Sequence, residues 1–153
     1  MSVQPVLYAE DEENDAFFLK RAFKQAQIPN QLIVVSDGQA AIDYCSGIGS
    51  FANRTQYPVP ELLLLDLKMP KKTGLEVLKW IRHEPSLSAL PVIILTSSMQ
   101  EDDICRSYHH GANAYLVKPS DPEALQIMVK AIHDFWLKQN HPTKSLANLG
   151  RID

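Results

Sequence analysis

Cysteine is scarce in this chain. Its two thiols, Cys45 and Cys105, stand far apart in sequence and without metal-ligand spacing. That excludes a cysteine-based metal site, and cysteine's preference for interiors predicts buried or half-buried free thiols at both positions. Long hydrophobic runs are also missing. No apolar stretch approaches the ~20 residues of a membrane span, and the N-terminus has no basic region leading into an apolar core. Charge of one sign is in short supply too: a formal net charge of -3 leaves no concentrated basic surface for nucleic-acid phosphates. Low-complexity segments and internal repeats are absent. None of the five histidines, His83, His109, His110, His133 and His141, pairs with a cysteine at zinc-like spacing, so surface or helix-end positions are expected for all of them. What these absences leave is a cytoplasmic globular protein of 153 residues, with room for one hydrophobic core.

Short apolar runs recur at strand length: Val6 to Ala9, Leu32 to Val35, Leu62 to Leu65, Val92 to Leu95 and Ala114 to Val117. Three of the five are unbroken instead of alternating, which suits parallel strands covered on both faces. Helical stretches separate them. Ala16, Leu19, Phe23 and Ala26 share a stripe that stops before Pro29; a second helix follows the Asp37-Gly38 turn; Gly74 leads into a third that ends by Pro85. The fourth spans Glu101 to His110 and closes on Gly111. The fifth opens at Asp121 as a cap, with Pro122 at its first position, and carries Leu125, Met128, Val129, Ile132 and Trp136 inward before Asn140 and Pro142 end it. Strict strand-helix alternation predicts right-handed crossovers and an α/β, doubly wound (βα)5 sandwich. Residues 1–140 make the domain. The tail, residues 141–153, is too short for a separate DNA-binding output domain. The long connection from Gly47 to Pro60 lies at the opposite end of the sheet from the strand-end carboxylates, either as surface decoration or as a partner-specific loop.

Chemistry gathers where the strands end. Glu10 and Asp11 close the first apolar run and Asp66 closes the third. Ligands of open α/β sheets bind at this carboxyl rim, and strands placed side by side would bring the three carboxylates together. Three such groups repel and raise one another's pKa unless a cation sits among them, which predicts a Mg2+ site. The fourth strand delivers Thr96 and Ser97 to the same rim, and the fifth delivers Lys118. Carboxylates for a metal, one carboxylate as nucleophile, a hydroxyl and an ammonium suit phosphoryl transfer, in which charge on the equatorial oxygens must be neutralised.

Glu10-Asp11, Asp66-Leu67-Lys68-Met69-Pro70 with Gly74, Thr96-Ser97 and Lys118-Pro119 occur in order, thirty residues from Asp66 to Thr96 and twenty-two more to Lys118. The pattern resembles the receiver domain of two-component response regulators over residues 5–138. The resemblance implies a flavodoxin-like five-stranded parallel sheet of order 2-1-3-4-5. It implies that Asp66 takes a phosphoryl group from a sensor histidine kinase or phosphotransfer protein. Asp11 and Asp66 would bind Mg2+ directly, Glu10 through water, and the Lys68 backbone carbonyl would complete the protein ligands. Thr96 would bond the phosphoryl group, Lys118 would pair with it, Tyr115 would be the aromatic that turns inward, and the Lys118-Pro119 peptide would be cis. No enzyme activity beyond the chain's own phosphorylation and dephosphorylation is expected. Met69-Pro70-Lys71-Lys72-Thr73-Gly74, the long segment before the third strand, and Asp134-Phe135-Trp136-Leu137 resemble the small response regulators paired with bacterial phytochrome kinases.

Two other assignments fit the topology and fail on residues. A flavin carrier needs a neutral, hydroxyl-rich loop after the first strand, where this chain has Glu10-Asp11-Glu12-Glu13-Asn14-Asp15. An aspartyl-nucleophile phosphohydrolase of the haloacid-dehalogenase type needs an aspartate two residues after the nucleophile, where this chain has Lys68. On the fifth helix Phe135 falls about 100° from Trp136 and cannot share its core, so a homodimer is expected through the face of helix 4, strand 5 and helix 5.

Overall fold

Covering both faces of a parallel strand demands apolar side chains at every position, and the four-residue aliphatic runs supply them. In the computed structural model, which describes residues 3–142, β1 (Val6–Ala9), β2 (Leu32–Val35), β3 (Leu62–Leu65), β4 (Val92–Thr96) and β5 (Ala114–Val117) form one sheet. All pairings are parallel and the order is β2-β1-β3-β4-β5, the flavodoxin-like arrangement expected. The connecting helices are α1 (Glu13–Gln25), α2 (Gly38–Ser46), α3 (Gly74–His83), α4 (Glu101–His109) and α5 (Pro122–Ile132).

Inside each central strand the side chains alternate between two cores, an alternation the unbroken sequence hides. Leu7, Ala9, Leu63, Leu65, Val92 and Ile94 pack with Ala41 and Tyr44 of α2 and with Val77, Leu78 and Ile81 of α3. Val6, Tyr8, Leu62, Leu64, Ile93 and Leu95 pack with Leu19 and Phe23 of α1 and with Val129 and Ile132 of α5. Trp136 joins this second core, whereas Phe135 is exposed. Asp121 caps α5, accepting from the N–H groups of Glu123 and Ala124, each at 3.3 Å.

The structure departs from expectation at Cys105 and in the last helix. Cys45 is buried as predicted, but Cys105 is exposed, because α4 turns that residue outward beside Glu101 one turn earlier. The last helix does not hold α geometry to Asn140: His133–Gln139 widens into a π-helical segment, with Asn140 N–H donating to the Phe135 carbonyl. The expected tail, residues 141–153, lies outside the described residues except for His141 and Pro142. The segment from Gly47 to Pro60 carries a 3-10 turn at Gly49–Phe51 and is pinned locally. Tyr44, Phe51 and Tyr57 pack ring to ring, and the Arg54 guanidinium donates to the carbonyls of Cys45 and Tyr57.

Candidate functional site

Sheet register assembles the site. Ala9 pairs with Leu65, so the next residues, Glu10 and Asp66, emerge side by side, with Asp66 N–H donating to the Ala9 carbonyl at 3.1 Å. Thr96 pairs with Val117, so Lys118 leaves β5 beside Thr96, its N–H donating to the Thr96 carbonyl at 2.8 Å. Glu10 and Asp66 are buried, at 2% and 7% exposure, while Asp11 faces solvent. One oxygen from each of these three carboxylates lies within 4.8 Å of the others.

Lys118 reaches back across the rim. Its ammonium donates to Asp66 Oδ2 at 2.9 Å, to Asp15 Oδ2 at 2.8 Å and to Glu10 Oε1, so all three of its protons are taken. Glu10 also accepts from the Tyr8 hydroxyl at 2.9 Å and from Glu12 N–H at 3.2 Å. Asp66 Oδ1 accepts from Leu67 N–H at 2.7 Å. Burial pushes the Glu10 carboxyl up to about 7, with Lys118 opposing the rise and Asp66 adding to it. Burial acts in the same direction on Asp66, but the Lys118 ammonium, with hydrogen bonds from Glu10 and Thr96, outweighs it and holds that carboxyl below its ordinary value. For Lys118, burial disfavours the charge, and the hydrogen bonds to Asp15, Glu10 and Asp66 more than restore it, raising the pKa. A cluster of carboxylate oxygens is a hard donor set, suited to Mg2+ or Mn2+ and poor for a thiophilic ion.

A family model of the response regulator receiver domain matches residues 6–130. The chain belongs to this family. Response regulator Rcp1 of Synechocystis sp. is 39% identical over 133 residues, spanning 87% of this chain and 88% of Rcp1. The Mn2+-bound structure of Rcp1 superposes with a TM-score of 0.81 at 37% identity, covering 92% of this chain and 99% of that one. The phosphorylated cyanobacterial phytochrome response regulator RcpA superposes with a TM-score of 0.85 at 34% identity, covering 94% of this chain and all (100%) of RcpA.

The remaining receiver positions sit around this centre. Thr96 is buried at the end of β4, and its Oγ1 accepts from Ser98 N–H at 3.5 Å. Tyr115 is half-buried against the α2–α3 core, and its hydroxyl donates to the Ser98 carbonyl at 2.9 Å, tying β5 to the loop before α4. Ser98 itself donates through Oγ to Asp103. Lys68 lies on the loop after Asp66 with its side chain exposed. Gly74 is required where it stands, since a Cβ there would meet the Asp66 carbonyl oxygen at 2.1 Å. The Lys118-Pro119 peptide is trans, as no cis bond occurs among the described residues, which corrects the cis expectation. An X-Pro bond separates the two isomers by only about 0.5–1 kcal/mol, so family resemblance alone is a weak guide to it.

Asp15 is a neighbour of the site that its local sequence does not reveal. An acidic residue in the first turn of a helix reads locally as a partner of the helix dipole. Its other distinguishing feature, proximity to Lys118, joins residues 103 apart in sequence.

Proposed function

We propose that this receiver accepts a phosphoryl group on Asp66 in a Mg2+-dependent reaction, from a histidine kinase or phosphotransfer protein, and signals through protein contacts that depend on that group. The observation that carries this is the buried Asp66 carboxylate, bonded to the Lys118 ammonium and within 4.8 Å of oxygens from Glu10 and Asp11. Similarity to Rcp1 and RcpA supports a phytochrome-type kinase as the donor. Residues 1–140 constitute the receiver and residues 141–153 a tail. The protein acts in the cytoplasm and catalyses only its own phosphorylation and dephosphorylation; among the described residues, no helix is long and apolar enough to cross a membrane.

The donor set fits Mg2+: Asp11 and Asp66 as direct ligands, the Lys68 carbonyl as a third, and Glu10 through water. When bound, the metal neutralises charge on the phosphoryl oxygens. The chain's own residues do the rest. As the donor's bond to phosphorus breaks and its leaving group departs with the electron pair, a carboxylate oxygen of Asp66 bonds to phosphorus, Lys118 turns its proton from Asp66 Oδ2 to a phosphoryl oxygen, and the Thr96 hydroxyl donates to another. Movement of Thr96 toward the phosphoryl group frees space for the Tyr115 ring, which breaks its bond to Ser98 and carries the change to the face of α4, β5 and α5. That face is also where the chain forms a homodimer.

Incubation with acetyl phosphate and Mg2+ should add one acid-labile and base-labile phosphate per chain, and Asp66→Asn should add none. Wild-type labelling of Asp66→Asn would remove Asp66 from this role.

A further inference from the structure

Asp15 stands outside the three-carboxylate cluster yet holds one of the three Lys118 protons. Its side chain is 38% exposed, against 1% for Glu10 and 10% for Asp66, so it approaches Lys118 from the outer side. The pair also lines a cavity of about 90 Å³ between α1 and α5, whose walls mix apolar Phe18, Leu95 and Pro119 with polar Arg21, Gln25 and Asp121.

With Asp66 as the acceptor proposed above, charge balance sets what Asp15 does. A bond forms between phosphorus and an Asp66 oxygen. The donor's bond to phosphorus breaks, P–N in a phosphohistidine or P–O in acetyl phosphate, and the leaving nitrogen or oxygen departs with the electron pair. The Asp66 side chain thereby goes from one negative charge toward two. Lys118 exchanges its Asp66 contact for a phosphoryl oxygen, which leaves the added charge two hydrogen bonds from the Asp15 carboxylate. Repulsion from Asp15 therefore weighs more on the phosphorylated state than on the unphosphorylated one. Asp15 also draws Lys118 toward α1 and takes a proton that a second phosphoryl oxygen could receive. Both effects have one sign. We infer that Asp15 is a positioning residue that acts through Lys118 to lower the phosphoryl occupancy of Asp66.

The test uses the full chain at saturating Mg2+ and sub-saturating acetyl phosphate, with occupancy read by intact mass. Asp15→Asn removes the charge while keeping size and an acceptor oxygen, and Asp15→Glu keeps the charge. Asp15→Asn should raise occupancy about threefold to tenfold at low ionic strength, with the gain shrinking as salt is added. Asp15→Ser should change in the same direction, and Asp15→Glu should stay near wild type. A purely structural role would shift thermal stability and treat all three variants alike, without salt dependence. Occupancy of Asp15→Asn at or below wild type, or an equal rise in Asp15→Glu, overturns the assignment. Failure of wild type to label at all would instead overturn Asp66 as acceptor, and the role of Asp15 with it.

Discussion

Glu10 and Asp66 are neighbours whose carboxyls are driven apart, one up to about 7 by burial and the other below its ordinary value by Lys118. A carboxyl whose folded pKa is raised binds its proton more tightly when folded. Its stabilising effect is complete below the unfolded value, near 4.5, and is lost as pH climbs through about 7. Asp66 has the opposite sign: its contribution is present above its unfolded value of 3.8 and is lost only as pH falls further, so the two windows do not overlap. Metal-free protein should therefore lose on the order of 2–3 kcal/mol of unfolding free energy between pH 4.5 and 7.5 on account of Glu10. Urea unfolding in chelator should reveal that loss in wild type and a much flatter profile in Glu10→Gln. Equal slopes in the two proteins would mean that Glu10 is ionised throughout.

The elements hold the centre by close approach as much as by hydrogen bonds. Thr73 caps α3 reciprocally with Glu76, and Gly74 lets the start of that helix press against the carbonyl of Asp66. At 2.1 Å the clash of an added methyl is with backbone, which cannot swing aside. Gly74→Ala should cost about 2–3 kcal/mol, in the range of an overpacked core site, and lower Tm by roughly 5–10 °C. It should also displace Asp66 and slow phosphorylation, so calorimetry and labelling should fall together. Unchanged Tm would mean that the α3 terminus yields more readily than its capping box implies. The loop between β4 and α4 is held differently, by polar contacts alone: Ser98 to Asp103, and Tyr115 to the Ser98 carbonyl. Hydrogen bonds in a half-exposed loop exchange with water at little net cost.

At the scale of the whole molecule, α5 and its π-helical extension divide their large side chains between core and solvent. Val129, Ile132 and Trp136 pack inward, while Ile127 and Phe135 are 71% and 56% exposed. Trp136 meets the Phe135 ring edge-on at 5.0 Å, so the outward aromatic is held by a half-buried one. Apolar side chains fixed in solvent favour a partner surface, and a two-fold dimer covers both copies at once. Sedimentation at micromolar concentration should give a dimer for wild type and a monomer for Phe135→Ser with Asp66 labelling intact. A wild-type monomer, with and without phosphate, would end the dimer proposal.

Local pattern alone determined much of this protein. The aliphatic runs located all five strands, with β4 one residue longer than expected at Thr96, and Asp121-Pro122 and Gly111 marked helix ends. Carboxylates, hydroxyl and lysine at strand ends were legible because a strand that stops at a polar residue exposes it at the rim, whatever lies beside it. Tertiary structure decided what depends on register and on neighbours distant in the chain. Alternation in β1, β3 and β4 between two cores leaves no trace in runs that are apolar throughout. Cys105 faces water and Cys45 does not, although both are single thiols on helices. The meeting of Lys118 with Asp15 could not be read from either residue's surroundings. It requires β5 at one end of a sheet and α1 folded back over the middle of it, bringing together two residues 103 positions apart. An ion pair has no sequence period, so only the assembled sheet brings the two charges within reach.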